Sequence, residues 1–207
     1  YFALGYEIGT NGGCGIGGYN IFNVNMSGGG SLTTDYTTWH MNFPRLSVAA
    51  PQVEFYSAAN TNVSCDTFKV HYVAKTGAGT FKIQTNLSSA GWVDEAGYTN
   101  VNAATGGTAT GVGTIISFTK TAGLYQMRVV YLTGTVDIIG AQMTLSTSRG
   151  VVYCPYTASG RPLSEFIAVP DSIKGPIMAR VAPSCLFVNY RDDAPSFNTA
   201  LPALKTY

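Results

Sequence analysis

The sequence predicts a mostly β protein, an antiparallel jelly roll or β-sandwich with a small α/β segment at its C-terminal end. Two features of composition and one of pattern predict it. Charged residues make up only 11% of the 207 residues while Gly, Thr, Asn, Ser and Tyr abound, about half the charge of an ordinary soluble domain. Thr, Tyr, Val and Phe fit a pleated surface, and Gly and Asn supply turns. The 45% hydrophobic content suffices for one substantial core. From residue 35 to residue 146, short alternating or β-branched runs are separated by turn clusters, the pattern of a sandwich.

The elements follow in order. Residues 1–34 form a glycine-rich opening expected to pack with the α/β part; within it, residues 9–19 read GTNGGCGIGGY, a tight loop dominated by backbone. It lacks the Lys-Ser/Thr of a phosphate-binding loop and the strand-then-helix context of a dinucleotide fold. Residues 67–73, TFKVHYV, set Phe68, Val70 and Tyr72 against Lys69 and His71, as a half-buried strand does. Residues 75–79, KTGAG, then reverse the chain into a second strand at 80–85, giving a hairpin. Further strands are expected at 114–119, 125–132 and 136–145, with breaks at Gly106-Gly107 and Thr133-Gly134. After Arg149 the texture changes. Residues 150–153 read as a short strand, 172–181 as a helix and 185–189 as another strand. That is the rhythm of a βαβ unit, so 147–207 are expected to form a partial α/β segment.

Composition also excludes functions. A net charge of +1 with no Lys/Arg run lacks the footprint of a nucleic-acid binder. No stretch nears the roughly 18 apolar residues of a membrane-spanning helix. Cys14, Cys65, Cys154 and Cys185 are too scattered for a zinc ribbon or a redox CxxC, and no metal or cofactor is expected. Their spacing is compatible with one or two disulfides in an exported protein and equally with buried free thiols. Asn25, Asn62 and Asn86 each begin an Asn-x-Ser triplet, which carries a glycan only in a eukaryotic secretory setting.

The stretches RGVVY (149–153), SGRPLS (159–164) and VAPSCLFVNYRDD (181–193) resemble the middle of an SGNH (GDSL-type) hydrolase. The glycine-rich opening is similar to the segment after that family's nucleophile strand, and some members carry a jelly-roll insertion where residues 35–146 stand here. The resemblance implies that the nucleophilic serine falls before Tyr1 and the Asp-x-x-His pair after Tyr207. Without them there is no activated nucleophile. It maps the oxyanion-hole elements to the backbone N–H of Gly160 and to Asp192. An ionised Asp accepts hydrogen bonds and repels a developing oxyanion, whereas the family's Asn donates to it.

The remaining candidates are aromatic. Sandwich modules that hold sugars stack exposed rings on the pyranose and hydrogen-bond its hydroxyls with Asn, Gln and Asp. Tyr36 and Trp39 in DYTTW (35–39), and Trp92 and Tyr98 in GWVDEAGY (91–98), fit that description; the competing account is that they cap the core at strand ends. Asp94 beside Glu95 suggests a calcium ligand pair but reads more simply as a solvated turn. The sequence therefore points to a non-catalytic extracellular or virion-surface module for glycan recognition, adhesion or assembly, working as a homo-oligomer, whose partner is a glycan or its own assembly. Two alternatives stand beside it: a fragment of an SGNH carbohydrate esterase whose Ser and His lie outside the chain, and a purely structural coat or appendage subunit.

Overall fold

The computed structural model describes residues 2–4, 22–26, 31–32, 44–57 and 62–147, together with 171, 172, 175 and 179. In chain order its strands are β1 (Phe2–Leu4), β2 (Phe22–Met26), β3 (Ser31–Leu32), β4 (Pro44–Leu46), β5 (Gln52–Ser57), β6 (Val63–Ala74), β7 (Thr80–Leu87), β8 (Trp92–Asp94), β9 (Val101–Asn102), β10 (Val112–Thr133) and β11 (Val136–Thr144). Every ladder between them is antiparallel. The predicted mostly β, antiparallel class is the one observed; the predicted α/β segment at the C-terminal end lies almost wholly outside the described residues.

β10 builds both layers. Its first half, Val112 to Tyr125, pairs with β6, which pairs in turn with β11; β1 and β4 join β11. Its second half lies between β5, opposite Met127–Val130, and β7, opposite Tyr125–Thr133. β2 extends this layer beyond β5, and β8 and β9 extend it beyond β7. The register slips between Thr119 and Gly123, and such a bulge bends and twists a strand. Two strands were expected at 114–119 and 125–132. Residues 120–123, KTAG, which lie between them, form the bulge of one long strand.

The expected hairpin is also corrected. β6 and β7 share no ladder: β6 is in one layer and β7 in the other. The 75–79 reversal is a crossing between layers, beside the second crossing at 133–135, where Gly79 N–H donates to the Thr135 carbonyl at 2.8 Å. Gly79 is required there, because a Cβ on it would lie 1.7 Å from the Thr133 carbonyl oxygen.

Between the layers, alternate residues meet. Phe68, Val70 and Tyr72 of β6 face Phe81 and Ile83 of β7, Met127 and Val129 of β10, and Val53 and Phe55 of β5 in one core. Tyr72 and Phe81, from unpaired strands, contact edge to face at 5.2 Å; Phe68 stacks on Phe118 at 4.9 Å and meets Tyr125 edge-on at 5.2 Å. Each such fully buried side chain contributes about 1.5–3 kcal/mol. β6 is not half-buried as expected: His71 and Val73, on the face away from this core, are each 1% exposed. On the same layer Arg45 donates to Asp137 through Nε at 2.7 Å and a terminal nitrogen at 2.9 Å, fastening β4 to β11.

β1, β2 and β3, from the expected opening segment 1–34, hydrogen-bond to strands of the sandwich. Of the expected segment 147–207, Asp171, Ser172, Gly175 and Ala179 have helical backbone, where the sequence predicts a helix, and Ser172 Oγ donates to the Gly111 carbonyl at 2.9 Å. The remainder of that segment past Thr147 lies outside the described residues.

Candidate functional site: the outer face of the β5–β10–β7–β8 layer

Strand alternation puts apolar residues of this layer inward and leaves a mainly polar face outward, interrupted by Val130 between Gln52 and Lys82. Val53, Phe55, Met127, Val129, Phe81 and Ile83 are buried, so Gln52, Glu54, Gln126, Arg128, Lys82, Gln84 and Asn86 take the opposite face. Registers align them. Glu54 is opposite Arg128, Arg128 opposite Gln84, and Gln84 opposite Asp94, one residue per strand in a line; β2 places Asn25 at the next register position, opposite Glu54. Gln126, Asn86 and Trp92 form the neighbouring line.

Hydrogen bonds lock this face into one arrangement. Arg128 Nε donates to Gln84 Oε1 at 2.6 Å and its Nη1 to Gln52 Oε1 at 3.1 Å, while the same nitrogen lies 3.6 Å from Glu54. Gln84 Nε2 donates to Asp94 at 2.5 Å, and Lys82 Nζ is 2.9 Å from the same carboxylate. Gln52 Nε2 donates to Glu54 at 2.9 Å. The Lys82 ammonium and then the Gln84 amide hold the Asp94 carboxyl below its ordinary value of 3.8. Asn86 donates to Gln126 at 3.2 Å and accepts from Gly91 N–H at 3.0 Å, so the amide of that Asn-x-Ser triplet is engaged within the face.

Trp92 lies on this lattice. Its ring sits 4.3 Å from the Arg128 guanidinium carbon, a cation–π contact of about 0.5–1 kcal/mol. It therefore reaches back from β8 across β7, and Gln84 and Asn86 beneath it are each only 8% exposed. With one ring face against the guanidinium, a flat ligand can stack only on the other.

Trp92 and Tyr98 are separated. Tyr98 turns inward, packs on Phe118 at 5.3 Å and donates its hydroxyl to the Ser117 carbonyl at 3.3 Å. Asp94 and Glu95 also point apart: Asp94 joins the outer face, whereas Glu95, 8% exposed, accepts from Lys120 Nζ at 2.6 Å and from Thr85 Oγ1. Among the described residues no group of three or more His, Cys, Asp or Glu is placed to hold a metal ion, and no helix is long and apolar enough to cross a membrane. Tyr36, Trp39, Gly160 and Asp192 lie outside the described residues. Arg128, Gln84, Gln52, Glu54 and Gln126 were not singled out from sequence; their signal is the polar phase of QVEF, FKIQTN and YQMRVV, and only the register shows that the three phases share one face.

No protein-family model and no curated protein matches the chain. Among solved structures, that of CBM35 from Paenibacillus barcinonensis is similar, with 14% identity and a TM-score of 0.34 over 62% of this chain and 100% of its own.

Proposed function

We propose that this is a non-catalytic glycan-binding module of an extracellular or virion-surface protein, and that the outer face of the β5–β10–β7–β8 layer is its binding surface. The observation that carries the reading is Trp92, laid flat on Arg128 beside a row of amides and carboxylates. A sugar needs an aromatic platform for its C–H face and planar donors and acceptors for its hydroxyls. The amides of Gln52 and Gln126 and the carboxylates of Glu54 and Asp94 keep hydrogen-bonding capacity beyond the bonds they make to one another. A face already ordered by its own bonds also loses little entropy on binding. Adhesion or assembly follows if the glycan belongs to a host surface or to a neighbouring subunit.

The test is a glycan microarray with the wild-type chain and Trp92→Ala. Binding to at least one glycan, weakened about tenfold or more by loss of the stacking platform, is the expected result. A Trp92→Ala chain that binds as the wild type does would remove the site, and an array without a hit would remove the function.

A further inference from the structure

We infer that a pocket at the end of the β6–β11 layer, the layer that does not carry Trp92, holds a single neutral sugar residue at the exposed end of a glycan. The site is separate from the face around Trp92 and does not depend on it. The pocket opens where the two crossings between the layers meet and has a volume of about 130 Å³. A cavity of about 150 Å³ holds a benzene molecule, so there is room for one six-membered ring and not for a chain. Among the described residues its walls come from three places: Lys75 and Thr76 of the first crossing, Thr135 of the second, and Arg45 of β4 with Asp137 of β11. Val73, 1% exposed, forms its floor.

The lining fits a neutral polyol. Arg45 donates to Asp137 through Nε at 2.7 Å and Nη2 at 2.9 Å, a planar two-point pair that fixes the carboxylate in the wall with its side chain 8% exposed. An ionised carboxylate has about four acceptor sites, so Asp137 keeps some beyond those that Arg45 fills. The Lys75 ammonium donates, and the Thr76 and Thr135 hydroxyls do both. An anion in this space meets the Asp137 carboxylate, and a cation meets Lys75 and Arg45; a sugar uses donors and acceptors together. An open face needs an aromatic ring to hold a sugar, whereas a concave site covers its C–H groups from several sides, here with Val73 and Ala78. The walls are also set before binding, which spares ordering entropy. Lys75 N–H donates to the Ala103 carbonyl at 3.1 Å, Thr76 N–H to that of Thr108 at 3.0 Å and Gly79 N–H to that of Thr135 at 2.8 Å. Gly134 has no room for a side chain, since a Cβ on it would lie 2.6 Å from Gly79 Cα, so the two crossings stay in contact.

The experiment follows proton–nitrogen correlation spectra of the isotope-labelled wild-type chain while methyl glycosides of glucose, galactose, mannose, xylose and N-acetylglucosamine are added. Each is taken to about 50 mM, well above the millimolar dissociation constant expected of a ligand of about a dozen heavy atoms. The expected result is a saturable shift of the Thr76, Gly77, Ala78 and Thr135 amide signals with at least one of these sugars. Thr135→Trp, which sets a ring at the mouth from an exposed position, should weaken that binding about tenfold or more. Thr76→Trp, also exposed, does the same from the other crossing, and melting curves show whether both variants fold. Pocket amides that do not move with any sugar would overturn the inference, and shifts confined to the Trp92 indole N–H would do so while supporting the proposed function. Shifts that persist in both folded Trp variants would place the sugar elsewhere. Stronger shifts with glucuronate or inorganic phosphate would overturn the neutral class, and binding of free sugars but not of their methyl glycosides would overturn the chain end.

Discussion

Arg128 shows how much one side chain decides on this face. Its guanidinium serves Gln84, Gln52, Glu54 and the ring of Trp92 together, which a single-point ammonium cannot do. Arg128→Lys is therefore expected to leave the fold intact yet free Trp92. In a Trp39→Phe background its emission should move to longer wavelength and its quenching by acrylamide should rise, with the melting temperature nearly unchanged; unchanged quenching would show that Arg128 does not hold the ring. Gly79 decides differently, by having no side chain where two layer crossings touch. Gly79→Ala would push a methyl group into the Thr133 carbonyl, and backbone can yield there only by breaking the Gly79–Thr135 hydrogen bond. A loss of about 2–3 kcal/mol in urea denaturation is expected. Cys65 is a buried free thiol, pushed up to about 12 by burial and then by the Asp66 charge. Thiolate is the reactive form, so iodoacetamide at pH 8 should label Cys65 only after denaturation. With Cys65 free, the three other cysteines allow at most one disulfide within the chain.

The element that presents Trp92 is itself tied down from below. Lys120, at the β10 bulge, donates to Glu95 just past β8 at 2.6 Å and to Thr85 of β7 at 3.0 Å, so the bulge, β7 and the end of β8 are fastened at one point. Lys120→Met would leave the Glu95 carboxylate buried without its cation. Removing one partner of a fully buried pair costs about 3–5 kcal/mol; with the Lys120 side chain 28% exposed, about 2 kcal/mol is expected. The double variant with Glu95→Gln should recover part of that loss, and a coupling of zero in the cycle would show that the two do not act as a pair. Such elements were unevenly legible. The strand at 136–145 was found within a residue of its ends, because IIGAQM lies between clear turn signals. The pattern gives two strands, 114–119 and 125–132, where β10 is one, since composition does not separate a bulge from a break. The 75–79 reversal was read as a hairpin because its local chemistry is that of a turn either way. Only the pairing of β6 and β7 with β10 and β11, more than thirty residues further along the chain, decides that it crosses layers.

At the scale of the molecule the same division holds. A mostly β sandwich was legible, since binary alternation fixes which face of each strand is apolar. The candidate site was legible only at Trp92, because a polar face assembles from strands whose pairing is non-local. Acid should act on the whole sandwich through carboxylates bound in the same way. Asp66 accepts from Ser146 N–H at 2.9 Å and from Ser146 Oγ at 2.5 Å, joining β6 to the end of β11, and those bonds hold its carboxyl below the ordinary 3.8, as Lys82 and Gln84 hold Asp94. A carboxylate depressed in the folded state contributes stability that is fully present above its unfolded value and is lost as pH falls through its folded value. The contribution of these two residues should therefore persist from neutral pH down to about pH 4 and fall away below that. Urea midpoints measured from pH 7 to pH 2 for the wild type and for Asp66→Asn/Asp94→Asn check this. The double variant should start less stable and decline less steeply below pH 4, its curve converging on that of the wild type. Parallel curves would mean that neither carboxylate contributes through its charge, and the face around Trp92 would then owe its order to the amides and Arg128 alone.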